Sequence, residues 1–183
     1  MLSRIRLLWR HRPQQARLLC FDVQVITVKA YGGRRYTSAK RLVLARQQKT
    51  RGKFYLFLLY EVNSGRTHWA FLPGKSADEV CQCMRRVRRW YPGHDVWIAL
   101  DQDRAHPCKS RQTQQTMRAL KLHWISLPKG SPDDNPVETI FSDVQSMSLD
   151  NSNDADARTT QQRISAHLRG RNRRLDRHIR IPY

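Results

Sequence analysis

Three acidic residues stand where a carboxylate needs a reason. Asp22 interrupts an apolar, β-rich run at 18–28, between Cys20 and Gln24. Asp101 directly follows VWIAL, the short apolar run at 96–100. Glu138 falls in the first turn of a helix whose start is set by Asn135 and Pro136, since Asn caps free N–H groups and Pro suits the first helical position. A charge within an apolar strand is costly unless it is paired or binds a metal. Each position also has a plainer reading. Asp22 can be an edge-strand residue reaching solvent, Asp101 a turn or helix cap, and Glu138 a complement to the helix dipole. Grouped together, the three would be hard oxygen donors suited to Mg²⁺ or Mn²⁺. Two-metal phosphoryl transfer needs acids that flank ions roughly 3.5–4 Å apart.

The elements that must position these acids follow from periodicity and caps. Residues 18–28 predict a strand with Phe21, Val23 and Val25 on one face, so Asp22 belongs to the other. Further strands are expected at 41–45, 54–62 and 67–72, with turn signals at 31–34 and 63–66. Ser76 and Glu79 form a capping box that opens a helix with Ala77, Val80, Met84, Val87 and Tyr91 on one side and Arg85, Arg88 and Arg89 pointing outward. A buried strand at 96–100, a helix from Ser110 through Leu120 and a strand at 122–127 follow. The helix after Asn135 places Val137, Ile140, Phe141 and Val144 on one face. The fold class is therefore α/β, with a mixed sheet flanked by helices. Right-handed crossovers put the 96–100 strand close to the first one, and sites in such sheets form at the carboxyl ends of strands.

Residues 1–16 read as a basic lead-in, 17–149 as the domain proper, and 150–183 as a polar linker followed by a basic helix and tail. Six Arg fall between 169 and 180, a tail expected to be mobile without a partner. The whole chain carries 34 Lys and Arg against 15 Asp and Glu, a net charge of +19, which favours a polyanionic partner. No acidic residue occurs between Asp22 and Glu61, while Arg34, Arg35, Lys40, Arg41, Arg46, Lys49, Arg51 and Lys53 accumulate there. An ordinary solvated face mixes signs, so this stretch is read as a DNA-backbone contact, with Lys109 and Lys129 joining the set. No apolar run approaches the length of a membrane span. Cys81 and Cys83 lack a second pair for a zinc knuckle, and the scattered cysteines fit a reduced cytosol.

The segments LLCFDVQ, VWIALDQDRAH and HWISLPKGSPDDNPVETIF resemble the three signature blocks of DDE-type transposases. The likeness is to the bacterial insertion-sequence branch of the mariner-like superfamily. Asp101 and His106 keep the spacing of that family's second block. Leu127, Pro128, Ser131, Pro132, Asn135, Pro136 and Glu138 match its third. Val23, Gln102 and Phe141 stand where relatives have Glu, Asn and Trp. The resemblance implies an RNase H-like fold, antiparallel in its first strands and parallel after them. Asp22, Asp101 and Glu138 would then be a triad holding two Mg²⁺ or Mn²⁺ ions, with His106 near the scissile phosphate. It implies DNA cleavage and strand transfer, transposon ends and target DNA as partners, a homodimer when active, and a bacterial, nucleoid-associated cytoplasmic setting. Relatives carry an upstream helix-turn-helix region, and nothing before Leu18 is long enough to be one. Two alternatives remain at this stage: an RNase H-like structure-specific nuclease, or a catalytically inactive, basic DNA-binding remnant.

Overall fold

The computed structural model describes residues 16–31, 49–100, 110–127 and 135–179. The basic lead-in, the expected strand at 41–45, and Arg34, Arg35, Lys40, Arg41, Asp101, His106, Lys109 and Lys129 lie outside the described residues.

The described elements run β1 (Ala16–Thr27), β2 (Lys53–Glu61), β3 (Thr67–Leu72), α1 (Ala77–Trp90), β4 (Asp95–Leu100), α2 (Arg111–Ala119), β5 (Leu122–Ser126), α3 (Pro136–Val144), a π-helical turn (Gln145–Leu149) and α4 (Ala157–Ile179). The five strands form one sheet in the order β3-β2-β1-β4-β5. β1 pairs antiparallel with β2, and β2 with β3, whereas β4 lies parallel to both β1 and β5. This is the antiparallel-then-parallel order expected of an RNase H-like sheet, with β4 beside β1 as the crossover rule requires.

Helices cover both faces. α1 and α2 bury Val80, Cys83, Met84, Val87 and Met117 against Leu19, Phe21, Phe57, Leu59, Ile98 and Leu100. On the other face α3 and α4 bury Val137, Ile140, Phe141, Val144, Ile164 and Leu168 against Leu18, Cys20, Leu56 and Leu58. Strand β2 is buried on both sides, which explains its near-continuous apolar run. The caps act as their residue types dictate. Glu79 accepts from the Ser76 N–H at 2.9 Å, Ser110 Oγ accepts from Thr113 N–H at 3.1 Å, and Asn135 Oδ1 accepts from Val137 N–H at 3.2 Å.

The structure departs from the sequence reading in three places. Arg88 does not point outward but donates to four main-chain carbonyls, those of Leu120, Tyr91, His94 and Lys121. The 150–156 stretch is not solvated along its length. Ser152 and Asp154 are buried, the Arg51 guanidinium donates to the Asn153 and Asp154 carbonyls, and Arg163 pairs with Asp154. Finally, α4 stays helical through the basic segment to Ile179. Arg171 donates to Gly65 O at 2.7 Å and Thr67 Oγ1 at 2.9 Å, Asn172 exchanges hydrogen bonds with the Thr67 backbone, and Arg66 pairs with Asp176. Side chains that composition marks as solvated become joints when free carbonyls need donors.

Candidate active site

Strand alternation puts Asp22 on the same side as Leu18, Cys20 and Ile26, the face covered by α3 and α4. Phe21 and the partly buried Val23 lie on the opposite face, as expected, while Val25 lies beyond the helical cover and is exposed. Asp22 is half-buried, and its Oδ1 accepts from the Val23 N–H at 2.7 Å.

The sheet register then says where this acid sits. In the parallel pairing of β1 with β4, the last matched residues are Phe21 and Leu100, which immediately precede Asp22 and Asp101 in the sequence. β1 continues beyond that point and, among the described residues, pairs with β2 through Thr27 and Lys53. Asp22 therefore lies one residue past the last described pair of β1 with β4, at the carboxyl end of that described pairing. Leu127 N–H donates to Leu100 O at 2.7 Å, so the chain leaving β5 is tied to the same strand end.

α3 lies over β1 and β2 on this face and carries Glu138 in its first turn. Val137, the residue before it, is fully buried, while Glu138 is exposed. The helix start is fixed by Asn135 and Pro136, which in turn fixes where Glu138 leaves the helix. Asn135 holds a feature that its capping role alone does not explain. It is 4% exposed, and its Nδ2 has no hydrogen-bond partner among the described residues. A buried amide donor of this kind costs free energy unless something accepts from it. The sequence signals the cap but not this second donor.

Of the three expected acids, Asp22 thus lies on the sheet face that α3 covers, and Glu138 is carried by that helix. Asp101 and His106 lie outside the described residues, and among the described residues no three His, Cys, Asp or Glu side chains cluster as a metal site. The donor chemistry fits a hard cation, because Asp22 and Glu138 supply carboxylate oxygens. Cys20, two residues before Asp22 on the same face, is fully buried, and burial pushes its thiol up to about 12. It stays a neutral packing residue, as does Cys83, whose thiol burial also pushes up to about 12. Of the expected basic contacts, Lys49 and Lys53 are exposed, whereas the Arg51 guanidinium is engaged with residues 153 and 154. Among the described residues no helix is long and apolar enough to cross a membrane.

Comparison with known proteins places this architecture. No curated protein sequence matches the chain. Among solved structures it is similar to a pre-cleavage Mos1 transpososome, at 12% identity and a TM-score of 0.64, covering 96% of this chain and 58% of that one. A mariner Mos1 paired end complex with Mg gives a TM-score of 0.64 at 13% identity, covering 92% and 52% respectively. The catalytic core domain of BIV integrase gives 0.53 at 13% identity, covering 82% and 80%. Such likenesses establish the shared fold, and the chain spans little more than half the length of the Mos1 chains. A family model described as DDE superfamily endonuclease matches residues 17–161, a span that takes in β1 with Asp22, the end of β4, and α3 with Glu138. By that match the chain belongs to the DDE superfamily of endonucleases.

Proposed function

We propose that this chain is the catalytic core of a DNA transposase of the insertion-sequence type, cutting DNA strands and joining the freed 3′ ends to a target. The observation that carries the reading is that Asp22 lies on the sheet face covered by the helix that carries Glu138. One follows Phe21, which pairs with Leu100 of β4, and the other is at a helix start fixed by two capping residues. Asp101, the residue after Leu100, would complete the triad, and His106 would lie near the scissile phosphate. The neighbours solved with Mn and with Mg support a divalent metal, and the site would take two such ions.

The chain's own contribution follows from its chemistry. Asp22 and Glu138 would present hard oxygens to the ions, with Glu138 exposed enough for a phosphodiester to approach. Asn135 and Pro136 would hold the helix start so that the Glu138 carboxylate cannot wander. Lys49 and Lys53, with the basic residues at 34–46, Lys109 and Lys129, would neutralise the DNA backbone. When bound, the ions supply Lewis acidity for in-line attack at phosphorus. The Mos1 neighbours are paired-end and strand-transfer complexes, which supports DNA ends as substrate and a paired, dimeric assembly.

The test is metal-dependent nicking of supercoiled or end-bearing duplex DNA by Asp22→Asn and Glu138→Gln. Each is expected to lose nicking by at least about 100-fold while melting at nearly the parent temperature, since neither carboxylate is fully buried. Retained nicking in both variants would sink the site assignment. Detection of strand-joined products separates a transposase from a nuclease that only cuts.

A further inference from the structure

Among the described residues strand β5 forms one edge of the sheet, and its flank holds a cavity of about 230 Å³. Trp97, His123 and Trp124 line it together with Gln114, Met117 and Arg118 of α2. Trp124 is 37% exposed and His123 is exposed, a costly way to leave two rings on an edge strand that faces water. The rings are also held rigidly. Asp95 accepts from Trp97 Nε1–H at 2.9 Å and lies 3.2 Å from His123 Nε2, and the two rings stack at 4.6 Å with planes 21° apart. One carboxylate thus orients a two-ring platform on one face of the sheet, and strand alternation puts the Trp124 indole on the other face of the same edge strand.

The electrostatics point one way. Among the described residues none lining the cavity is acidic, Arg118 is exposed at its margin, and Lys121 is exposed at the α2–β5 turn. Asp95, the nearby carboxylate, is occupied by the two rings it orients. A site that joins aromatic faces to positive charge suits a planar base with an attached phosphate. Its volume, below the usual range of about 300–1,000 Å³ for small-molecule pockets, fits one ring system rather than a larger ligand.

We infer that the β5 edge is a nucleobase-binding notch for single-stranded DNA, with Trp124 and the Trp97–His123 stack as platforms and Arg118 as the phosphate contact. The choice of DNA as ligand rests on the reading of the preceding section, whereas the notch itself rests on the cavity, the stack and the charge. Trp97 lies level with Leu18 on β1, four residues before Asp22 and two strands from β5. At about 3.3 Å per residue along a strand and 4.8 Å between strands, the notch lies roughly 15 Å from Asp22. A strand whose phosphate sits by the acidic pair would reach the notch several nucleotides away.

Binding of a fluorescent single-stranded oligonucleotide, measured by anisotropy in EDTA, tests the idea independently of catalysis. The comparison is with a strand of equal length and charge built from abasic residues. The parent protein is expected to bind the base-bearing strand more tightly. Trp124→Ala should weaken that strand by roughly 5- to 150-fold, leave the abasic strand nearly unchanged, and be largely rescued by Trp124→Phe. Arg118→Ser should weaken both strands alike and lower the salt slope by about 0.7. Equal affinity of Trp124→Ala and parent for the base-bearing strand overturns the inference. So does self-association of the parent that Trp124→Ala abolishes, which would assign the edge to a second copy of the chain. Because no metal is present, failure here leaves the acid assignment untouched, and retained nicking in Glu138→Gln leaves the notch untouched.

Discussion

Arg88 offers the sharpest test of how this fold holds its site. Its Nε donates to Leu120 O at 2.9 Å, Nη1 to Tyr91 O at 3.0 Å and His94 O at 2.9 Å, and Nη2 to Lys121 O at 2.8 Å. One side chain thereby fastens the end of α1, the approach to β4 and the α2–β5 turn. Hydrogen bonds from charged groups contribute about 1.5–3 kcal/mol when desolvated, but this guanidinium is half-exposed and water replaces part of each bond. About 0.5–1 kcal/mol per bond gives a loss of about 2–4 kcal/mol for Arg88→Ala. In a domain of this size that lowers the melting temperature by roughly 5–15 °C. Arg88→Lys keeps the charge but not the planar fork that reaches several carbonyls at once, so it should recover less than half of the loss. Urea unfolding is the assay, with the midpoint shifted and the slope unchanged. If both variants unfold within about 0.5 kcal/mol of the parent, the clasp is a surface ornament and the reasoning fails.

Two further outcomes follow from the same structure. Asn135→Ala removes a cap worth about 1 kcal/mol, yet it also releases the helix start that carries Glu138. Metal-dependent nicking should therefore fall well beyond what the modest drop in melting temperature explains, and proportionate losses would argue against a positioning role. The second concerns pH. Burial, opposed by the charge of Glu61 and aided by Arg66, holds the His68 imidazole below its ordinary 6.5, and the ring stacks on Trp90 and meets Tyr91 Oη at 2.7 Å. Burial also lowers His167. Below about pH 6.5 the unfolded chain then binds more protons than the folded one, so stability is full above that pH and declines as pH falls below it. Melting temperatures taken from pH 7.5 to 5.5 should show this decline, and His68→Leu should flatten part of it. An unchanged slope in that variant refutes the assignment to His68.

Much of the scaffold was legible from local pattern. Ser76, Ser110 and Asn135 start their helices because a side-chain oxygen satisfies a free N–H within three residues, which is information the sequence holds locally. Period-two alternation put Asp22 opposite Phe21, and the first-turn position of Glu138 followed from Pro136. The DDE resemblance was equally local, resting on a block of residues around that helix start. Tertiary structure alone decided the rest. That Phe21 and Leu100 stand level, so that Asp22 and Asp101 follow adjacent positions on neighbouring strands, is a matter of register between strands far apart in sequence. Arg51, Arg88 and Arg171 look alike in composition, as basic residues in basic stretches. Each instead donates to carbonyls contributed by a distant segment. Unsatisfied main-chain acceptors appear only once the segments have packed, so the residues that answer them carry no periodic or motif signature beforehand.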